Sequence, residues 1–139
     1  MASAPQITPT IVKTDEEWRS QLSDLSYKVT RQHGTERAFT NDNFPKAQGM
    51  FHCICCDAPL FSADTKFDSG TGWPSFYAPH GTQHVGESQD TSWFMRRTEV
   101  HCTACAAHLG HIFPDGPAPT GLRYCINGVA LAFKPDQSA

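Results

Sequence analysis

The chain has 139 residues, with eleven Lys and Arg against fourteen Asp and Glu, for a formal charge of −3. That length suits one domain whose core stands without disulfide staples, and 39% apolar residues with nine Phe exclude a disordered chain. The acidic balance argues against nucleic acid or an anionic membrane as partner, and no apolar run approaches the ~20 residues of a spanning helix.

Residues 1–13 read as a flexible tail, since MASAPQITPT is small, polar and Pro-containing. The N-terminus has neither the basic nor the apolar stretch of a signal peptide, which suits a cytoplasmic location. Thr14-Asp15-Glu16-Glu17 matches a capping box, with Glu17 reaching back to Thr14. Trp18, Leu22 and Leu25 then recur at i, i+4 and i+7, the apolar stripe of a short helix. A second short helix is predicted over Ser26–His33, ending at Gly34. Beyond about residue 35, Gly and Pro punctuate the chain around β-prone segments at 50–54, 58–62, 92–101, 108–113 and 122–133. The stretch 114–121 (PDGPAPTG) is a turn-rich loop. The pattern predicts one mostly β domain over 14–136, with helices confined to its start.

Six cysteines are more than a reduced protein of this size needs for structure, which points to metal or thiol chemistry before disulfides. Cys53-x-x-Cys56 and Cys102-x-x-Cys105 form two knuckles, each biting a metal with two sulfurs, so together they close a tetrahedral four-thiolate site. Such a site has no vacancy for water and serves structure. Zinc suits it, and iron could take the same sulfurs. Redox Cys-x-x-Cys motifs are the alternative, but they expect a βαβ context that is missing here. Haem attachment would need a His directly after the second cysteine.

Cys55 lies inside the first knuckle, as a bystander or a spare thiol near the metal. Cys125 lies in Arg123-Tyr124-Cys125-Ile126-Asn127, where strand alternation would put Arg123, Cys125 and Asn127 on one face. A guanidinium beside a thiol favours the thiolate; the plainer reading is a buried structural cysteine, with Asn127-Gly128 as a hairpin turn before the core strand Val129, Leu131, Phe133. His108-Leu109-Gly110-His111 offers two imidazoles that could be general acids, extra ligands or a surface pair. Gly70-Thr71-Gly72-Trp73-Pro74-Ser75-Phe76 fixes aromatic rings on a tight loop, either as a pocket wall or as a cap on the core.

Taken in order, HGTE (33–36), CxxCDAPLF (53–61), KFDSGTGWPSF (66–76), CxxCxAHLGHIFPDGP (102–117) and RYCIN (123–127) resemble the type B methionine-R-sulfoxide reductase family over nearly the whole domain. The resemblance implies two antiparallel β-sheets with short N-terminal helices. It implies reduction of the R epimer of methionine sulfoxide in proteins, for protein repair under oxidative stress, and one structural Zn2+ on Cys53, Cys56, Cys102 and Cys105. Cys125 matches the family's nucleophile, Arg123 an activating neighbour, and His108, His111 and Asn127 the polar groups around the sulfoxide oxygen. Trp73 matches the ring that meets the substrate methyl, with Phe113 as a further substrate-binding residue. A monomer is expected, served by thioredoxin, glutaredoxin, glutathione or another thiol reductant. Thr71 departs from the family pattern, because many members carry a resolving cysteine between those two glycines. The expectation is therefore that an external thiol reduces Cys125, with Cys55 able to substitute only if it comes within disulfide range. The rival from another class is a zinc-stabilised β module that binds a protein or peptide without chemistry.

Overall fold

A computed structural model of the chain describes residues 9–81, 83–90 and 97–136. Residues 1–8 of the expected tail lie outside the described residues. Thr14 caps α1 (Asp15–Gln21) with the expected box: its Oγ1 accepts from the Glu17 N–H at 3.1 Å, and Glu17 Oε1 accepts from the Thr14 N–H at 2.9 Å. The apolar stripe does not continue to Leu25. Leu22 turns to extended backbone and Ser23 caps a new helix, α2 (Asp24–Arg31), by accepting from the Ser26 N–H at 3.1 Å. Trp18 and Leu22 stay in the core, while Leu25 lands on the outer side of α2 and is 41% exposed. The second helix therefore starts before Ser26 and ends before His33, which takes left-handed backbone with φ 55°.

The strands follow as β1 (Gly49–Cys53), β2 (Pro59–Ser62), β3 (Lys66–Phe67), β4 (Ser75–Phe76), β5 (Val85–Asp90), β6 (Arg97–Cys102), β7 (His108–Phe113), β8 (Arg123–Ile126) and β9 (Leu131–Pro135). They form two antiparallel sheets, one ordered β2-β1-β9 and one ordered β3-β4-β8-β7-β6-β5. The segments expected at 50–54, 58–62 and 108–113 are strands β1, β2 and β7. Of 92–101, residues 92–96 lie outside the described residues and the remainder belongs to β6. The segment 122–133 is two strands, because a 3-10 turn at Gly128–Ala130 carries the chain from one sheet to the other. Asn127-Gly128 is thus a crossing point between sheets and not a hairpin turn.

Aromatic rings fill the space between the sheets. Phe51 meets Phe76 at 5.1 Å and Phe133 at 4.7 Å, and Phe61 stacks on Phe76 at 4.4 Å and meets Tyr124 at 5.8 Å. Phe51, Phe61 and Phe76 are each within 1% of complete burial, and each such ring stabilises by roughly 1.5–3 kcal/mol relative to exposure. The N-terminal segment latches onto the two knuckles: the Ile11 N–H donates to the Ala104 carbonyl at 2.8 Å, Gln21 Nε2 to the Cys55 carbonyl at 2.6 Å and Arg31 Nη2 to the Cys105 carbonyl at 2.7 Å.

Candidate active site and metal centre

The two knuckles share one backbone design. In the first, the Cys53 N–H donates to the Ala58 carbonyl at 2.8 Å and the Asp57 N–H to the Cys53 carbonyl at 2.9 Å. In the second, the Cys102 N–H donates to the Ala107 carbonyl at 2.9 Å and the Ala106 N–H to the Cys102 carbonyl at 2.8 Å. The residue after each second cysteine is left-handed, Asp57 at φ 69° and Ala106 at φ 64°. That turn folds the paired sulfurs of each knuckle toward the other.

Cys53 Sγ lies 3.7 Å from Cys105 Sγ and Cys56 Sγ 3.5 Å from Cys102 Sγ, with all four sulfurs within 4.8 Å of one another. Thiolates ~2.3 Å from a tetrahedral ion stand about 3.8 Å apart, so the donor set fits a metal of zinc's size. Without a cation the four sulfurs cannot all ionise. Hydrogen bonding to Cys102 pushes Cys53 and Cys105 up and Cys56 down, and bonding to Cys105 lowers Cys102. Cys55 is buried against this cluster, near Cys53, Cys105 and Thr30.

Cys125 stands at the middle of the six-stranded sheet, opposite Ser75 of β4 and His111 of β7. Its side chain opens into a cavity of about 120 Å³ lined by Thr35, Trp73, Gly110, His111, Phe113, Cys125, Ile126 and Asn127. Trp73, His111, Phe113 and Asn127, all expected at the site, are therefore brought together with Cys125. Arg123 lies two residues along the same strand face. Its Nε and Nη2 grip Asp115 at 2.9 and 3.3 Å, and its guanidinium covers the Phe113 ring at 4.4 Å, so it is held beside the thiol. Burial pushes the Cys125 thiol up, while the charge of Arg123 and the nearby Thr71 hydroxyl pull it back down. His108 is placed differently. It is 3% exposed, lies outside the cavity lining and packs behind His111, with ring centroids 5.5 Å apart.

Glu36, from the HGTE stretch, carries the scaffold of the cavity. Its N–H donates to Asn127 Oδ1 at 3.0 Å, its carbonyl accepts from Trp73 Nε1 at 3.1 Å, and its carboxylate accepts from the Val129 N–H at 2.9 Å. Asn127 Nδ2 donates to the Leu109 carbonyl at 2.9 Å, which spends the amide on holding β7 and β8 in place. Gly70 and Gly72 take positive φ, 76° and 87°, and turn the loop so that Trp73 faces the cavity. Sequence reasoning singled out neither Glu36, Thr35, Asp115 nor Glu99 as an individual site residue. The partners of Glu36 lie dozens of positions away, while Asp115 meets Arg123 and Glu99 meets His108 only through strand register, and only the motif HGTE signalled the first two. A larger groove of about 850 Å³ lies beyond the Gly72 turn, lined by Phe39, Phe44 and Phe67 among others, and holds no cysteine or histidine.

A half-buried thiol beside a clamped guanidinium, an imidazole and an indole, on a β scaffold tied by four sulfurs, defines a thiol-dependent oxidoreductase site. The SelR domain profile matches residues 22–135. The peptide methionine sulfoxide reductase MsrB of Pseudomonas putida (strain W619) is 61% identical over 130 residues, covering 93% of this chain and 98% of that protein. The protein of the same name from Thiobacillus denitrificans is 56% identical over 124 residues, covering 88% and 94%. The chloroplastic peptide methionine sulfoxide reductase B1 of Oryza sativa subsp. japonica is 56% identical over 125 residues, covering 89% of this chain and 58% of that one. The chain belongs to the SelR-domain family of type B peptide methionine sulfoxide reductases.

Proposed function

We propose that the chain is a peptide-methionine (R)-S-oxide reductase whose nucleophile is Cys125. The observation that carries this reading is the shared cavity: one thiol, one imidazole, one indole and one amide converge on a space that takes a single side chain. A sulfoxide sulfur becomes electrophilic when its oxygen is hydrogen-bonded or protonated. The Cys125 thiolate attacks that sulfur while an imidazolium at His111 gives its proton to the oxygen. The attack forms an S–S bond between Cys125 and the substrate. The protonated oxygen then passes as a hydroxyl to the Cys125 sulfur while the S–O and S–S bonds break, so methionine leaves with two electrons gained and Cys125, two electrons poorer, becomes a sulfenic acid. The methyl group seats against Trp73 and Phe113 and the oxygen faces His111, so one epimer fits and its mirror arrangement does not.

Zinc in the four-sulfur site would hold the knuckles together and takes no part in the reaction. An external thiol such as thioredoxin, glutaredoxin or glutathione then closes the cycle: two thiols reduce the sulfenic acid to the Cys125 thiol, giving a disulfide and water. Two placements support an external reductant. Thr71 contacts Cys125 with a hydroxyl, and Cys55 is packed against the metal sulfurs, outside the cavity lining. Turnover of each sulfoxide epimer with a chemical dithiol tests the reading. Wild type is expected to reduce the R epimer alone and Cys125→Ser neither. Absence of turnover in wild type, with peptide binding retained, would establish the binding-module rival.

A further inference from the structure

Glu99 is a buried charge that the reaction above leaves unused, and the sheet puts it in line with the site. It lies opposite His111 of β7, which lies opposite Cys125 of β8. Directly paired residues on antiparallel strands project to the same face about 4.5–5.5 Å apart, so carboxylate, imidazole and thiol form one row across the sheet. The β6–β7 register then shifts between Val100 and His101, a local irregularity beside which the buried His108 meets Glu99.

Glu99 Oε1 lies 3.1 Å from His108 Nδ1 and 3.3 Å from His33 Nδ1, with only 12% of the Glu99 side chain exposed. Burial alone would push this carboxyl up, but the imidazoles of His108 and His33 bring it well below its ordinary value. The interior therefore keeps a permanent anion against a pair of imidazoles. His108 Nδ1 is close to that anion yet off the line of a hydrogen bond, and it has no other hydrogen-bond partner. Such contacts in a substrate-free site tighten when charge develops. The His108 ring in turn stands edge-on to His111 at 69°.

We propose that Glu99 is the positioning residue of the proton donor, holding His108 in place and, through it and along the cross-strand row, keeping positive charge available at His111. The inference rests on the reductase reading. Glu99 stays ionised throughout: the proton passes from imidazolium to the sulfoxide oxygen, and the neutral imidazole is reloaded from solvent after methionine leaves. Among the described residues, the groups near this cluster include His33 after α2, His101 on β6, His108 and His111 on β7, Cys125 and Arg123 on β8, Asp115 in the ion pair with Arg123 and Glu36 behind the cavity. Among the described acidic groups named here, Glu99 alone contacts an imidazole, because Asp115 is spent on Arg123 and Glu36 on backbone N–H groups.

The test is kcat and KM against pH for Glu99→Gln and Glu99→Asp, with the R epimer and a chemical dithiol. In Glu99→Gln, kcat is expected to fall at least about tenfold with KM within about twofold, because the substrate does not touch Glu99. The limb of the profile owed to the imidazole is expected to move to lower pH by about 1–3 units, the span an opposite charge at this distance commands, while the limb owed to Cys125 stays. Glu99→Asp keeps an anion and is expected to restore the wild-type limb. A Glu99→Gln profile that matches wild type, or a Glu99→Asp limb displaced like that of Glu99→Gln, overturns the inference. If Glu99→Gln does not fold, the position of the Glu99→Asp limb decides alone. Wild type that reduces the R epimer while Glu99→Gln is unchanged removes only the role of Glu99; wild type without turnover removes the reductase reading with it.

Discussion

Replacing Cys102 by Ser takes one sulfur from a site that closes a long loop. Cys56 and Cys102 stand 3.5 Å apart across 46 residues of chain. A cross-link over a loop of that length withholds about 4 kcal/mol of chain entropy from the unfolded state, a large share of the roughly 5–15 kcal/mol that holds a domain of this kind together. The oxygen of Ser is a poor substitute for a thiolate, so the metal is expected to be lost with the link. At about 3 °C per kcal/mol, the midpoint of thermal unfolding should drop by roughly 10–15 °C. Metal content and circular-dichroism melts of wild type and Cys102→Ser read this directly. A strong chelator should lower the wild-type melt by a similar amount and leave the variant unmoved. A variant that keeps its metal and its midpoint, or a wild type that carries no metal, refutes the reasoning.

Gly110→Ala would put a Cβ 2.0 Å from the Cys125 carbonyl, so β7 and β8 must part; a loss of about 1–3 kcal/mol by urea unfolding and roughly a hundredfold in kcat/KM is expected. In the resting protein, alkylation of Cys125 by iodoacetamide should titrate with a midpoint above that of an ordinary exposed cysteine, since burial raises the thiol. Arg123→Ala removes the cation that favours the thiolate and should move that midpoint higher still; a fall instead would contradict the placement of Arg123. Burial also raises Glu36 above 4.5, so the folded state favours its protonated form. Stability contributed at that position is present below pH 4.5 and declines as pH rises from there through the raised value. Glu36→Gln should flatten this part of the urea-midpoint profile, and an unchanged slope would contradict it.

The chemistry of the site was more legible in the sequence than its geometry. Local rules carried the capping box at Thr14 and Glu17, the two knuckles and strands β1, β2 and β7, because each is set by neighbours in the chain. Leu25 misled the helix pattern, since its spacing is right but Ser23 offers a new cap that rotates it outward. Strand β5, Val85–Asp90, carries no apolar alternation to read, because an edge strand paired on one side needs little. The segment 122–133 reads as one apolar run, and only the packing of two sheets shows where it must break. His108 and His111 look equivalent in sequence, yet the cavity takes one ring and Glu99 the other. That distinction depends on register between β6 and β7, which no local pattern encodes.

The central claim is that Cys125 takes the sulfoxide oxygen, and a single-turnover experiment without reductant tests it most directly. The metal-loaded protein mixed with a peptide carrying the R epimer should release one methionine-containing peptide per chain. Trapping with dimedone and peptide mass spectrometry should then find a sulfenic acid on Cys125 and no Cys55–Cys125 disulfide. No reduced peptide, or an oxidised sulfur found at another cysteine with Cys125 still a thiol, would contradict the account.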